Sequence, residues 1–202
     1  MAWLLNEDAA LKRKLSGLTV EESALPEPAP VAVRFTLPED EYADLTFPLI
    51  TLTQVSVERA VERESRGLVE LRALPEGVDP TKGPYFSEVP VPFDIDYQVA
   101  LYTRKQAHHT YLVSVLATFP YLPGRFGFLD IPEDNTVRRL DLIGGPEFGQ
   151  GLDSDGKRLF TAIYRVRVST ELYLMDGTPR NYSTVSAVIV DAHTTTKTRA
   201  SG

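Results

Sequence analysis

The chain has 202 residues, 43% of them apolar, with no cysteine and a formal net charge of -7. This length suits one domain with appendages, and the missing thiols exclude a disulfide framework and a thiolate metal site. The negative charge argues against a general nucleic-acid binder, because phosphate contacts require clustered Lys and Arg. The sequence contains no signal-peptide pattern and no apolar run of membrane length, which predicts a cytosolic globular protein.

The first predicted element is a helix over residues 6–16, with Gly17 as its stop. Leu4, Leu11 and Leu15 form a narrow apolar stripe along this segment. One such stripe does not hold an isolated helix in water, so the helix must dock on its own domain or on a neighbouring chain. We therefore predict that these three leucines are interface residues.

Alternate prolines within residues 21–30 predict an extended linker after this helix. The chain is accordingly predicted to have three parts. Residues 1–30 are a helical arm with its Pro-rich linker, residues 31–192 are an α+β body, and residues 193–202 are a polar flexible tail.

The first half of the body alternates between strands and irregular segments. Short apolar alternation predicts strands at 31–35 and 50–57. The charged, Pro- and Gly-rich stretch 58–88 is predicted to be a long loop or an extended hairpin. Regular alternation over 93–101 predicts a half-buried strand, and the change to helical spacing over 105–118 predicts an amphipathic helix directly after it.

The second half of the body is predicted to be mostly strand. Short strands are predicted at 125–130 and 137–143, with turns at 144–146 and 153–156. Alternation over 158–174 predicts a strand far longer than the usual five or six residues. We expect this strand to project beyond the body.

This long strand is predicted to form a hairpin with a returning strand over 182–190, through a turn at Asp176-Gly177. The expected fold is α+β, with a mixed or antiparallel sheet packed by a central helix, an N-terminal helical arm and a long β-hairpin. The hairpin is a candidate intersubunit sheet, because an open strand edge can pair with a neighbouring chain. Its candidate interface residues are Arg165, Arg167, Val168 and Glu171.

Polar clusters in the sequence do not combine into a catalytic or metal site. His108 and His109 are adjacent, so on a helix they point about 100° apart and do not share one metal in the usual way. Asp94 and Asp96 lie on one face of a strand, as a pair of acid–base carboxylates would. The same spacing is expected for two polar residues on the solvent-facing side of a half-buried sheet.

Two further segments begin like ligand sites without completing them. Asp153 opens a sequence similar to a calcium loop, but the twelfth position is Tyr164, where such a loop needs Glu. The stretch 144–149 is glycine-rich, but no Gly-Lys-Ser/Thr follows it. The sequence therefore predicts no catalytic residue, no cofactor and no metal ligand, and a protein that is not an enzyme.

A resemblance to a known family lies in the centre of the chain. The segment Val91–Arg104, leading into a helix with Leu112 and Leu116, resembles the central strand–helix unit of tail terminator and tail completion proteins of tailed bacteriophages. Sheath-capping proteins of contractile injection systems are similar there. The later segments Arg138–Ile143 and Lys157–Phe160 resemble phage neck proteins of the same kind.

The resemblance, which extends over residues 31–174, implies a structural subunit of a phage or phage-like neck. Such subunits form a ring, here expected to be a hexamer, that caps the tail tube or sheath and binds the head–tail connector. DNA passes through such a ring, and an acidic lumen would let it slide. The implied location is the tail of the virion, after assembly in the host cytoplasm, with no membrane partner.

Two other hypotheses stay open at this point. One is another virion structural component, such as a head–tail connector or stopper, or a baseplate subunit. The other, from a different class, is a soluble enzyme whose site the sequence does not reveal. The mass of the purified chain in solution distinguishes an assembling subunit from a monomeric enzyme.

Overall fold

A computed structural model of the protein describes residues 3–21, 28–35, 46–65, 67–70, 79, 85–153, 156–172 and 180–181. The chain divides into two compact units. The first comprises Met1–Ser65 and Pro90–Leu174, and the second comprises Arg66–Val89 and Met175–Gly202.

Among the described residues, strands outnumber helices. In chain order the elements are α1 (Trp3–Leu15), β1 (Thr19–Val20), β2 (Ala29–Pro30), β3 (Ala32–Phe35), β4 (Leu49–Arg59), β5 (Leu68–Glu70), β6 (Tyr85–Glu88), β7 (Val91–Thr103), α2 (Gln106–Leu116), β8 (Gly127–Ile131), β9 (Thr136–Leu152), β10 (Arg158–Leu172) and β11 (Arg180–Asn181). A short 3-10 helix, Val61–Arg63, follows β4. Strands β5, β6 and β11 belong to the second unit, and all the other elements belong to the first.

Six strands of the first unit form one mixed sheet in the order β3-β4-β7-β10-β9-β8. Strand β3 runs parallel to β4, and every other neighbouring pair is antiparallel. Strands β1 and β2 form a separate antiparallel pair. The predicted α+β class with a mixed sheet is therefore confirmed.

Alternation along the two central strands builds the core on one side of this sheet. The core residues of β7 and β10 pair in register, and all of them are buried. The pairs are Ile95 with Val168, Tyr97 with Val166, Val99 with Tyr164, and Leu101 with Ala162. Leu112 and Leu116 of α2 belong to the same core, which confirms the predicted strand–helix unit.

Helix α1 docks on its own domain, which is one of the two alternatives that its apolar stripe left open. Leu11 and Leu15 have 0% exposed surface and join the core that β7 and β10 build. Burying each leucine side chain contributes about 2 kcal/mol, so the apolar stripe is satisfied within its own chain. The helix ends before Gly17, which takes a φ of 86°, and Val20 then pairs with Ala29 where the sequence predicted a tether.

A buried polar cluster joins α1 to the sheet. The Thr170 hydroxyl donates a hydrogen bond to the Glu7 carboxylate, which is 1% exposed, and Arg138 Nε lies 3.7 Å from the same group. The Tyr97 hydroxyl donates to Asp8 Oδ1 at 2.7 Å. Burial is the largest cause that raises the pKa of Glu7, because the carboxylate loses its hydration there.

We expect the substitution Glu7→Gln to change how stability depends on pH. A carboxyl group whose folded pKa exceeds its unfolded value of 4.5 binds more protons in the folded state between those two pKa values. The wild-type protein should therefore gain stability relative to Glu7→Gln as the pH falls through the raised pKa. The gain should end below the unfolded value, where the carboxyl is protonated in both states. Urea unfolding of both proteins from about pH 4 to 8 measures this, and parallel curves would contradict it.

Strand β10 is a central strand and does not form the edge of a projecting hairpin. It pairs with β7 on one side and with β9 on the other. Its length is matched by its neighbours, since β7 has 13 residues and β9 has 17. Its hairpin partner in the described chain is β9, and the predicted returning strand over 182–190 lies outside the described residues.

Strand β9 continues past the glycines at 144 and 145, where the sequence predicted a turn. The register between β9 and β10 shifts beside Arg165, which marks a β-bulge. Gly145 takes a φ of 90°, and a Cβ atom there would lie 2.3 Å from the carbonyl oxygen of Ile163. The bulge therefore absorbs the glycines without ending the strand, and the predicted strand 137–143 is longer than expected.

The second unit holds a small antiparallel sheet with the strand order β11-β6-β5. The Tyr85 hydroxyl donates a hydrogen bond to the carbonyl oxygen of Asp79 at 3.0 Å. The stretch 58–88 was predicted to be a long loop or an extended hairpin, and its antiparallel strands β5 and β6 agree with the hairpin alternative.

Candidate assembly surface

The second half of β9 presents an open strand edge. Strand β8 pairs with β9 only from Thr136 to Leu140. Within the described part of the chain, no strand pairs with the outer edge of β9 from Asp141 to Leu152. The backbone donors and acceptors of such an edge can pair with a strand of another chain.

Apolar side chains stand exposed along the same edge. Ile143 is 47% exposed, Phe148 is 66% exposed and Leu152 is 72% exposed. A solitary soluble protein gains nothing from leaving large apolar groups in water beside unpaired backbone. The combination indicates a surface that another polypeptide covers.

A second open edge lies at the other end of the six-stranded sheet. Strand β3 pairs with β4 only from Leu49 to Leu52. From Gln54 to Arg59, no strand in the described residues pairs with the outer edge of β4. Val55, on this second edge, is 63% exposed. The two open edges therefore belong to different strands with different sequences.

A groove lies beside the open edge of β9. It has a volume of about 430 Å³ and is lined by residues of α2, β9 and the start of β10. The His109 ring lies with its centroid 5.7 Å from that of Phe148 and 5.8 Å from that of Phe160. Its Nδ1 atom is shielded from solvent and makes no hydrogen bond. Burial lowers the pKa of His109, so the imidazole is neutral near pH 7.

The turn between β9 and β10 is held by Asp153. The Lys157 backbone N–H donates to Asp153 Oδ1 at 2.8 Å, and Arg104 Nη2 lies 2.6 Å from Oδ2. This carboxylate therefore stabilises a turn, as one of the two interpretations of the segment predicted. Within the described residues, no group of three or more His, Asp or Glu side chains could hold a metal ion.

The face of β7 and β10 that points away from the core carries an ion-pair network. Arg167 donates to both carboxylate oxygens of Asp96, at 2.7 and 2.9 Å. Asp94 accepts from Ser169 at 2.9 Å and pairs with Arg63 at 2.5 Å. Both carboxylates are thus engaged with cations, which fits the solvated face of a sheet better than an acid–base pair.

The structure divides the predicted interface residues between two sides of the sheet. Leu11, Leu15 and Val168 are enclosed in the core, and Leu4 is half-buried against it. The opposite face of β10 carries Arg165, Arg167 and Glu171. Arg165 Nη2 lies 3.6 Å from a carboxylate oxygen of Glu147. Glu171 lies 3.6 Å from Arg138 Nη1. Contact of the exposed members with another chain stays a prediction.

Sequence reasoning missed the features that make this surface. Phe148 and Leu152 lie between the two predicted turns, in a stretch for which no strand was predicted, and nothing in the local pattern places His109 between two phenylalanine rings. The one sequence signal for a strand edge is that large apolar residues stand among several glycines, which are uncommon inside a central strand.

No protein-family profile and no curated protein matches the chain. Among solved structures, it is similar to the PVC sheath/tube terminator of an extracellular contractile injection system in the extended state, with 15% identity and a TM-score of 0.44. The match covers 95% of this chain and 65% of that chain, so this chain spans less than two thirds of the terminator's length. A likeness this distant assigns neither a fold nor a function. Within the described residues, no helix is long and apolar enough to cross a bilayer.

Proposed function

We propose that this chain is a non-enzymatic structural subunit of a phage tail or phage-like contractile particle. In this role its copies form a ring that caps the tail tube or sheath. The observation that carries the proposal is the open, apolar edge of β9 in a sheet whose central strands are fully paired. The resemblance of the segment 91–116 to tail terminators supports the same role.

The two open edges favour a ring over a symmetric pair. A contact between the β9 edge of one copy and a different surface of the next copy is head-to-tail, and head-to-tail contacts that close generate rings. The outer edge of β4, with its exposed Val55, is such a different surface. On this proposal the tube or sheath protein and the head connector are further partners, and DNA passes through the ring.

We expect the purified chain to assemble, and Phe148→Lys to prevent it. A lysine on an open strand edge opposes pairing with another chain, because its ammonium group would have to be buried. Size-exclusion chromatography with light scattering at micromolar concentration should find wild-type particles close to six times the 22.5 kDa chain mass, and only single chains for the variant.

The matched control for this experiment is Val61→Lys. Val61 is 55% exposed on the short 3-10 helix and lies outside both open edges. This variant should assemble like the wild type. A wild-type chain that stays monomeric at every concentration would reject the ring, and equal assembly of both variants would exclude the β9 edge from it.

A further inference from the structure

The loop between α2 and β8 presents an exposed aromatic side chain on a strained backbone. Phe126 takes a φ of 59°, in the left-handed region that bulky residues rarely adopt, and it is 89% exposed. Strain of this kind persists where the surrounding structure imposes it, and it is concentrated at sites of function. An exposed ring gains no core packing that would offset the strain, so the folding of the chain alone does not account for Phe126 at this position.

Buried residues on both sides hold this loop in place. Leu122 is 1% exposed, and its backbone N–H donates to the Leu116 carbonyl oxygen at 2.9 Å. Gly127 pairs with Leu140 at the start of β8, and a Cβ atom at this glycine would lie 2.2 Å from the Leu140 carbonyl oxygen. The tip of the loop, Arg125 and Phe126, is therefore preformed, which reduces the entropy lost when it binds a partner.

The tip also carries an uncompensated positive charge. Arg125 is exposed and, within the part of the chain that the structure describes, forms no ion pair. Arg139 lines the same hollow of about 510 Å³, and its Nε lies 2.7 Å from a carboxylate oxygen of Asp141. Aromatic and Arg side chains are enriched in protein–protein interfaces. An unpaired guanidinium beside an exposed ring matches a partner surface that has a carboxylate next to an apolar pocket.

We propose that this tip docks into an apolar pocket with an acidic rim on a partner protein other than this chain. The Phe126 ring enters the pocket, and the Arg125 guanidinium pairs with a carboxylate at its rim. This contact goes beyond the proposed ring, because the tip is part of neither open strand edge. It gives the chain a second interaction surface for a second kind of partner.

Neither the groove beside β9 nor the hollow at Arg167 would give the tip this match on a second copy of the chain. The groove beside β9 has aromatic walls, but its other lining side chains are uncharged. The hollow at Arg167 has carboxylates at its rim, but its volume is about 100 Å³ and Ala60 is its only apolar lining residue. The apolar pocket and the acidic rim are combined in neither place, so the pocket belongs to a different protein.

The strain at Phe126 gives a first test on the purified chain. Asn adopts the left-handed region more readily than Phe, so Phe126→Asn should melt at or above the wild-type temperature. The control is Phe128→Asn, at a half-buried ring that packs 5.4 Å from the Phe119 ring, and this variant should melt at a lower temperature. A clear loss of melting temperature in Phe126→Asn would show that the ring stabilises the fold, which would overturn its assignment to a partner.

Photocrosslinking from the tip tests the partner. We expect p-benzoylphenylalanine in place of Phe126 of the full-length chain, illuminated in the cells that make it, to form an adduct with a different protein. The adduct should map to a segment with Asp or Glu beside apolar residues. The same probe at Tyr111, which is 52% exposed on α2, should not form it. Arg125→Glu should reduce the adduct at least roughly tenfold, because like charges would face each other, and changing the mapped carboxylate of the partner to Lys should restore it.

Three results of this experiment would overturn the proposal: no protein adduct, an adduct with a second copy of the chain, or an equal yield with Arg125→Glu. Light scattering on purified Arg125→Glu should find the wild-type particle mass, and a smaller particle would place the tip in the ring contact and also overturn the proposal. Rings that form no adduct would reject only the docking tip. The adduct formed by a chain that never assembles would keep the tip and reject the ring.

Discussion

Val168→Asp should unfold the first unit of the protein. Val168 is completely buried on β10, paired with Ile95 and packed in the core that α1 also enters. A carboxylate there would lie among apolar core side chains, so it is buried as a charge or forced to protonate, at a cost of roughly 3–5 kcal/mol. That is a large part of the 5–15 kcal/mol by which domains are usually stable. Thermal melting followed by circular dichroism measures the loss.

The control for this prediction is the same substitution at an exposed valine. Val55→Asp changes a side chain that is 63% exposed, so its melting temperature should stay close to that of the wild type. Arg167→Ala should also be mild, about 1 kcal/mol, because its pair with Asp96 is partly exposed to solvent. Similar small effects from Val168→Asp and Val55→Asp would mean that the side chain of Val168 does not face the core.

Gly145→Ala should destabilise the protein through the bulge in β9. A non-glycine residue held at a φ of 90° costs about 1–3 kcal/mol. The new methyl group would also lie 2.3 Å from the Ile163 carbonyl oxygen, which forces β9 away from β10. Chemical denaturation should therefore show a lower free energy of unfolding, together with weaker assembly if the distorted strand edge is the contact surface.

Gly151→Ala is the matched control in the same strand. A Cβ atom at Gly151 meets no heavy atom within 4 Å, and its backbone does not require a positive φ. The alanine should be neutral or slightly stabilising, because it restricts the unfolded chain without straining the folded one. Equal losses at Gly145 and Gly151 would show that glycine content, and not the bulge, sets the stability of β9.

The elements that sequence analysis located correctly are those whose burial repeats at a regular period. Residues 93–101 alternate in the sequence and lie in β7, and the change to helical spacing locates α2 within one or two residues of its observed ends. Leu112 and Leu116 are buried as their spacing predicts. Periodicity predicts these elements because each of them contacts the core along one face throughout its length.

The same reasoning failed where a partner far away in the sequence decided the outcome. The apolar stripe of α1 requires a partner surface, but it does not show whether that surface belongs to the same chain. Glu7 suits the start of a helix, yet it is buried because Thr170, 163 residues later, lies opposite it. Glycines at 144 and 145 permit a turn and a bulge equally, and pairing with β10 selects the bulge.

By itself, the sequence determined an α+β protein with a central strand–helix unit, a half-buried long strand after it, and no chemistry that predicts catalysis. Only the tertiary structure decided that α1 lies in the core, that β10 is central, and that β9 carries the open edge beside the His109 groove. The reason is physical: local periodicity records which face of an element is buried. The order of strands in a sheet depends on pairing between distant segments, and that order decides which edges stay open.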